Sequence, residues 1–497
     1  MSGARSRMMT GAEYLESLRD ARNVYVNGEK VSDVTKHPAF RNAALSVSRM
    51  YDALHAPETA EVLTGTDSFG TRTHKFFKPS RSSQDLIDAR EAIALWSRMG
   101  YGFLGRTPDY KAAFMAGLQV NADYYGPFAS NAIAWYREFT QKALYLNHVI
   151  INPPIDRKRA IHDMEDVFIR TVRETDAGIV VSGAKMLATG SAITHASFVA
   201  PVASAVLESG KAEDFALVFF VRMDNPRAHL ICRTPYARSA PFDQPLASRF
   251  DENDAVLVLD EAFIPWEDVL VHRDIERSTG FYAKSGFANL YNFQSGVRLA
   301  IKLELMAGLL SRGAKVNGTD VFRGVQAAIG EVVTMRDMVW GLTTAMAYDP
   351  EPSAGGTVVP KLEYASAMRM YNAQIWDRVH ELFEVHLGGA PLVVPSSHRD
   401  LQNPELRPLI DRYYRGADAS ALDRIKLFKL VWDAIGTEFG GRHELYERNY
   451  SGNGEQIRLD ALKWATRRGS LQRCEAFVQE CLDDYDVQGW TRGPWVT

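Results

Sequence analysis

Between residues 167 and 259 the chain carries a series of short apolar, β-branched runs, and helical periodicity dominates on both sides of it. Residues 167–173 and 178–183 flank Thr175-Asp176-Ala177, a hairpin turn; residues 216–221, 229–232 and 255–259 follow, separated by Pro and Asp/Asn clusters. Strands at this density, with no helix between them, predict a small barrel or sandwich. The absence of strand–helix alternation disfavours a doubly wound nucleotide fold. The expected chain is therefore α+β in the order helices, β domain, helical bundle. The boundaries read as 1–145 for the helical domain, 146–275 for the β domain and 276–497 for the bundle with its tail.

Local signals fill in this outline. Thr10 and Glu13 form a capping box ahead of Tyr14, Leu15 and Leu18, and Asn27-Gly28 between two apolar runs predicts a hairpin. Leu86, Ile87, Ala89, Ile93, Trp96 and Met99 recur at helical spacing within residues 85–101. In the last region Leu299, Leu303, Met306 and Leu310 form one stripe. Residues 321–347, 362–387, 422–437 and 459–482 are further long helices, with 349–356 as an interhelical loop.

Charge and motifs exclude several classes. Lys and Arg number 57 against 61 Asp and Glu, a net charge of −4, so nothing favours nucleic acid or a membrane surface as partner. No apolar run reaches about 18 residues and the first ten lack a signal-peptide core, which predicts a cytoplasmic protein. Cys232, Cys474 and Cys481 contain no C-x-x-C pair, and the last two lie seven apart on one helix face, as core residues would. The stretch from Gly308 to Lys315 resembles a phosphate loop but has Ala314 in place of the lysine. His380 and His443 each begin a zinc-protease-like helix, yet Glu384 and Glu447 stand where a second histidine is needed, so no metal site is expected.

Gly105-Arg106-Thr107-Pro108-Asp109-Tyr110, followed by His148, places a fixed cation, a phenol and an imidazole within a short stretch. Such groups can hold and polarise an oxygen-bearing aromatic. Taken alone they also suit a surface ion pair of Arg106 with Asp109, a packed tyrosine and a satisfied buried histidine.

The chain resembles the large oxygenase component of two-component, reduced-flavin-dependent aromatic hydroxylases typified by 4-hydroxyphenylacetate 3-monooxygenase. The likeness rests on residues 10–20, 33–40, 105–110, 181–185 and 441–448, and it runs nearly end to end. It implies an acyl-CoA dehydrogenase-like architecture of N-terminal helical domain, middle β-barrel and C-terminal four-helix bundle, and a homotetramer. It also implies a separate NAD(P)H–flavin reductase that supplies FADH2, molecular oxygen as co-substrate, and a flavin hydroperoxide that hydroxylates a phenol ortho to its oxygen. Arg106, Tyr110 and His148 carry over as the residues contacting that oxygen. Pro154, Ile155, Asp156, Arg157, Thr189, Tyr450, Ser451, Gly452 and Asn453 carry over as the FAD segments. The chemistry is consistent: a phenolate is more electron-rich than a phenol, Arg106 holds a permanent charge, Tyr110 can donate to the oxygen, and His148 can accept its proton.

One position departs from some relatives. Gln294 stands where they have a histidine, and it can bind the substrate by hydrogen bonds without taking a proton. That leaves an electron-rich heteroaromatic carboxylic acid open as substrate beside a phenol. A flavin-dependent dehydratase acting on an acyl-CoA shares the architecture, but it needs thiolates converging on an iron–sulfur cluster, which three scattered cysteines do not offer. A flavin-binding protein without catalysis would have no use for all three of Arg106, Tyr110 and His148.

Overall fold

A computed structural model describes residues 7–449 and 452–493. The capping box opens the first helix, Gly11–Ser17: the Glu13 amide donates to Thr10 at 3.3 Å and the Thr10 amide donates to Glu13 at 2.7 Å. Helix Ser83–Met99 begins and ends two residues ahead of the stretch expected from its periodicity, and it packs on two helices of the last region, Phe287–Asn317 and Arg323–Tyr348.

The middle region forms two sheets. In spatial order the six-stranded sheet runs Glu29–Val31, Asn23–Val26, Ala228–Cys232, Ala255–Pro265, Gly178–Lys185 and Arg170–Thr175. Its one parallel pair joins Asn23–Val26 to Ala228–Cys232. The hairpin at Asn27-Gly28 therefore completes a sheet of the middle region although it lies far ahead of residue 146. The four-stranded sheet runs Val269–His272, Leu217–Arg222, Ala196–Val199 and Leu146–Val149, with the last pair parallel. A core of buried apolar side chains continues from Tyr14 and Tyr51 through Phe198 and Phe220 to Phe383 and Phe439, so the regions share one interior.

Helices Phe287–Asn317, Arg323–Tyr348, Leu362–Leu387 and Ala421–Ile435 make up the bundle. Three details differ from expectation. The helix expected over 459–482 is two, Gly454–Arg467 and Ser470–Leu482, because Gly469 takes a left-handed conformation (φ 71°) that ends the first. The loop expected over 349–356 contains a strand: Glu351–Ser353 pairs antiparallel with Thr357–Val359 around Gly355 and Gly356, both at positive φ. Cys474 and Cys481 are exposed rather than packed. They do share one face, and none of the described residues buries it.

Candidate active site

Helix Ser83–Met99 delivers the chain to a loop that is pinned from three sides. Arg298, on helix Phe287–Asn317, donates to the Gly102 carbonyl at 3.1 Å. Tyr446, on helix Glu438–Asn449, donates to the Gly105 carbonyl at 3.3 Å. Glu252, just ahead of strand Ala255–Pro265, accepts from the Arg106 amide at 2.7 Å. Gly105 suits this close approach, since a Cβ would come within 2.9 Å of the Glu252 carboxylate and 3.0 Å of the Tyr446 ring and would push them aside. The Tyr145 hydroxyl also donates to the Arg106 carbonyl, which ties the loop to the chain leading into strand Leu146–Val149.

That tie brings the three expected groups together. The Arg106 guanidinium carbon lies 4.8 Å from the centroid of the Tyr110 ring, and the His148 ring lies 5.7 Å from it, centroid to centroid. Tyr110 is buried at 4% exposure on the short 3-10 turn Pro108–Lys111, while His148 is half-buried on its strand. Burial, followed by the charges of Lys111 and Arg106, holds the His148 pKa well below the usual histidine value. At neutral pH it is a neutral imidazole.

Lys111 is a member of this cluster that the motif did not announce. Its ammonium nitrogen sits 3.5 Å from the Tyr110 ring centroid and contacts His148 Nδ1, at only 1% exposure. Burial and the neighbouring Arg106 charge push its pKa well down, with Glu252 acting the other way. The sequence signal was slight: a single lysine at the head of the apolar run Ala112-Ala113-Phe114-Met115.

Asp109 does not serve as the partner its neighbour Arg106 suggested. It is fully buried, and its Oδ1 accepts from Thr107 and, at 3.3 Å, from Gln294. Gln294 also donates to Thr107 at 3.2 Å and is itself fully buried. Its amide nitrogen thus braces the loop, and its Oε1 has no hydrogen-bond partner among the described residues.

A buried ionic cluster supports the same loop. Glu447 accepts from Arg298 at 2.8 and 2.7 Å and from Lys302 at 2.9 Å, all within 2% exposure. Its pKa, which burial alone would raise, is brought down to about 2 by Arg298 and Lys302. His443 lies one turn earlier and faces Lys302 at 3.2 Å. The His443/Glu447 spacing, excluded as a zinc motif, had put both groups on one helix face. Arg442 donates to Glu252 at 2.8 Å and to Asp254 at 2.9 Å, so the carboxylate holding the Arg106 amide is itself held.

The expected flavin segments are spread around this core. Residues 154–157 form an exposed loop in which Ile155 is 61% exposed. Thr189 is buried and donates to Asp254 at 2.6 Å. Gly452 has a positive φ of 106°, and Asn453 caps helix Gly454–Arg467 by accepting from the Glu455 amide at 2.8 Å. Tyr450 and Ser451 lie outside the described residues.

Residues 10–271 match the family model described as 4-hydroxyphenylacetate 3-hydroxylase N terminal, and residues 278–479 match the one described as its C terminal. The chain belongs to the 4-hydroxyphenylacetate 3-hydroxylase family. Pyoverdin chromophore biosynthetic protein PvcC of Pseudomonas aeruginosa is 63% identical over 490 residues, covering 98% of each chain. The oxygenase component of a 4-nitrophenol 2-monooxygenase from a Rhodococcus species is 49% identical, covering 98% of this chain and 94% of that one. Among solved structures, the HpaB oxygenase component of a 4-hydroxyphenylacetate 3-monooxygenase, complexed with FAD and 4-hydroxyphenylacetate, matches with a TM-score of 0.89. Its identity is 30%, over 95% of this chain and 99% of that one. An archaeal 4-hydroxybutyryl-CoA dehydratase matches with a TM-score of 0.84 at 19% identity, which shows the acyl-CoA dehydrogenase-like fold alone. This 4-hydroxyphenylacetate 3-hydroxylase family member is a flavin-dependent aromatic monooxygenase of the oxygenase-component type.

Among the described residues no helix is long and apolar enough to cross a membrane.

Proposed function

We propose that this oxygenase hydroxylates a phenol ortho to its hydroxyl, with FADH2 supplied by a separate NAD(P)H–flavin reductase and dioxygen as co-substrate. The observation that carries the reading is the convergence of Arg106, His148 and Lys111 on the buried Tyr110. Such a cluster is cationic, partly desolvated and held by the fold, which favours a bound phenolate over a phenol. Arg106 supplies a charge that does not titrate, Tyr110 donates a hydrogen bond to the oxygen, and His148, being neutral, accepts the phenolic proton.

The residues suit FAD as well. Arg157 and Lys158 lie exposed and form no ion pair among the described residues, so two cations beside the apolar Ile155 can meet a diphosphate and the adenosine next to it. Thr189, the main chain of residues 154–156, Gly452 and Asn453 would hold the rest, with Tyr450 and Ser451. FADH2, when bound, supplies the electrons and activates the oxygen atom that is inserted; the chain's own residues orient the phenol and hold its charge.

A homotetramer is the assembly we infer. Helix Ser470–Leu482 buries none of its residues, yet Leu471, Cys474, Phe477, Val478, Cys481 and Leu482 follow helical spacing along one face. A second copy of the chain is the occupant that face calls for.

The test is turnover with FADH2 from any flavin reductase, under isotopically labelled dioxygen, across 4-hydroxyphenylacetate, 4-nitrophenol, other phenols and heteroaromatic carboxylic acids. The expected product carries one labelled oxygen ortho to the phenol oxygen, and Arg106→Ala abolishes it while the fold persists. Turnover unchanged by that substitution, or no product from any phenol, would overturn the reading.

A further inference from the structure

Lys111 is built into the site in a way the three-residue reading leaves unused. It is the residue after Tyr110, and it reaches back beneath that ring to His148 Nδ1, the imidazole nitrogen remote from Nε2. Burying an ammonium at 1% exposure costs free energy unless it is strongly paired or gives up its proton. Its surroundings offer little compensation. The groups facing it are Arg106 and Tyr110 on its own loop, His148 on strand Leu146–Val149, and Glu252 ahead of strand Ala255–Pro265. Helix Phe287–Asn317 contributes Gln294, whose amide nitrogen is committed to Thr107 and Asp109. Asp109, the nearest carboxyl in sequence, is turned to those partners.

We propose that Lys111 is the terminal acceptor of the phenolic proton, reached through His148. This rests on the reading of Arg106, Tyr110 and His148 as the phenol-binding groups. The transfer balances as follows. The phenol O–H bond breaks and leaves its electron pair on oxygen as the proton joins His148 Nε2. The His148 Nδ1–H bond breaks as that proton joins the Lys111 amine. Imidazole ends neutral as its other tautomer, and Lys111 ends as an ammonium. The direction follows from chemistry: an alkylamine is intrinsically about four orders of magnitude more basic than imidazole. An imidazolium held between Arg106 and Lys111 would be a poor place to leave the proton, and burial disfavours it further. Once the phenolate exists, its charge, together with Glu252, offsets the new ammonium beside Arg106. Lys111 acts through His148 and does not itself contact the substrate in this scheme.

The experiment uses the full chain with 4-nitrophenol, whose visible band reports ionisation, at a pH where the free phenol is mostly neutral. A pH-indicator dye counts protons released on binding. The unsubstituted protein is expected to bind 4-nitrophenol as its phenolate with no proton released, because Lys111 retains it. In Lys111→Met the bound phenol should stay neutral, or ionise only at a pH at least about tenfold lower in proton concentration. In Lys111→Arg, which supplies a permanent cation but cannot accept a proton, phenolate formation should release one proton per ligand bound. A phenolate band with no proton release in both variants would overturn the proposal and leave the proton on His148. Arg106→Ala separates the two readings. If it abolishes the bound-phenolate band while Lys111→Met and Lys111→Arg behave like the unsubstituted protein, the site reading stands and the role of Lys111 falls. If it changes neither band nor affinity, both fall.

Discussion

Gln294 and Asp109 meet at 3.3 Å inside the protein, and the same Gln294 amide reaches Thr107 at 3.2 Å. Through these two bonds the bundle fixes the turn that carries Arg106 and Tyr110. Losing one partner of a buried hydrogen bond costs about 1–3 kcal/mol. Gln294→Ala is therefore expected to lower unfolding free energy by about that amount and to raise KM for the aromatic substrate more than it lowers kcat. Denaturant melts and steady-state kinetics check this. An unchanged KM with unchanged stability would mean that the turn is held without Gln294.

Asp109 itself should give the enzyme an unusual pH response. Burial raises its pKa to about 7, against the bonds from Thr107 and Gln294 that lower it. A carboxyl whose folded pKa lies above its unfolded one, near 4, holds its proton more tightly when folded. Its contribution to stability is complete below pH 4 and is lost as pH rises from there through 7, a change on the order of 4 kcal/mol. Asp109→Asn keeps the shape and can hydrogen-bond to Thr107 and Gln294. The difference in stability between this variant and the unsubstituted protein, measured from pH 4 to 8, should grow in favour of the variant. A pH-independent difference would show that Asp109 is already ionised in the fold.

How much of this was legible in the sequence differs by kind of signal. Elements set by local rules were read correctly: the Thr10/Glu13 box, the Asn27-Gly28 hairpin, and helix Leu362–Leu387 to the residue. The convergence of Arg106 and His148 around Tyr110 was also expected, through the family resemblance. What the sequence hid was long-range. Nothing local tells that Asn23–Val26 lies parallel to Ala228–Cys232, or that Arg442 reaches across to Glu252. Lys111 was missed because burial of a lone lysine is decided by packing, which no spacing rule encodes. That the Gln294 amide nitrogen is taken up by Thr107 and Asp109 was equally hidden, because packing decides which way a fully buried side chain turns. Cys474 and Cys481 follow a true apolar stripe, but periodicity alone does not tell whether a stripe is covered, and both are exposed.

The Glu447 cluster should set the acid limit of the fold. Its carboxyl is held down at about 2 by Arg298 and Lys302, in spite of burial. A depressed folded pKa gives stability that is present above the unfolded value near 4.3 and is lost as pH falls from there toward 2. Glu447→Gln would leave Arg298 and Lys302 buried without their anion, which typically costs about 3–5 kcal/mol. The variant should melt earlier at neutral pH, and the gap between it and the unsubstituted protein should narrow as pH falls below about 4. Because Arg298 also holds the Gly102 carbonyl at 3.1 Å, aromatic binding should weaken with it. Equal melting temperatures at pH 7 would remove the cluster from this role.

The exposed stripe on helix Ser470–Leu482 makes assembly testable. Phe477 is 75% exposed and Val478 58%, large areas for apolar side chains to leave in water. If copies of the chain cover this face, Phe477→Glu should lower the mass measured by light scattering without shifting the melting of the bundle core. The cysteines supply a second readout, because Cys474 and Cys481 lie on the stripe while Cys232 is half-buried with its pKa pushed up to about 12 by burial. In the assembled protein a thiol reagent should label all three slowly. After Phe477→Glu, Cys474 and Cys481 should react quickly and Cys232 should not. Rapid labelling of Cys474 and Cys481 before the substitution, with mass unchanged after it, would mean that the stripe faces solvent and that assembly, where it occurs, uses another surface.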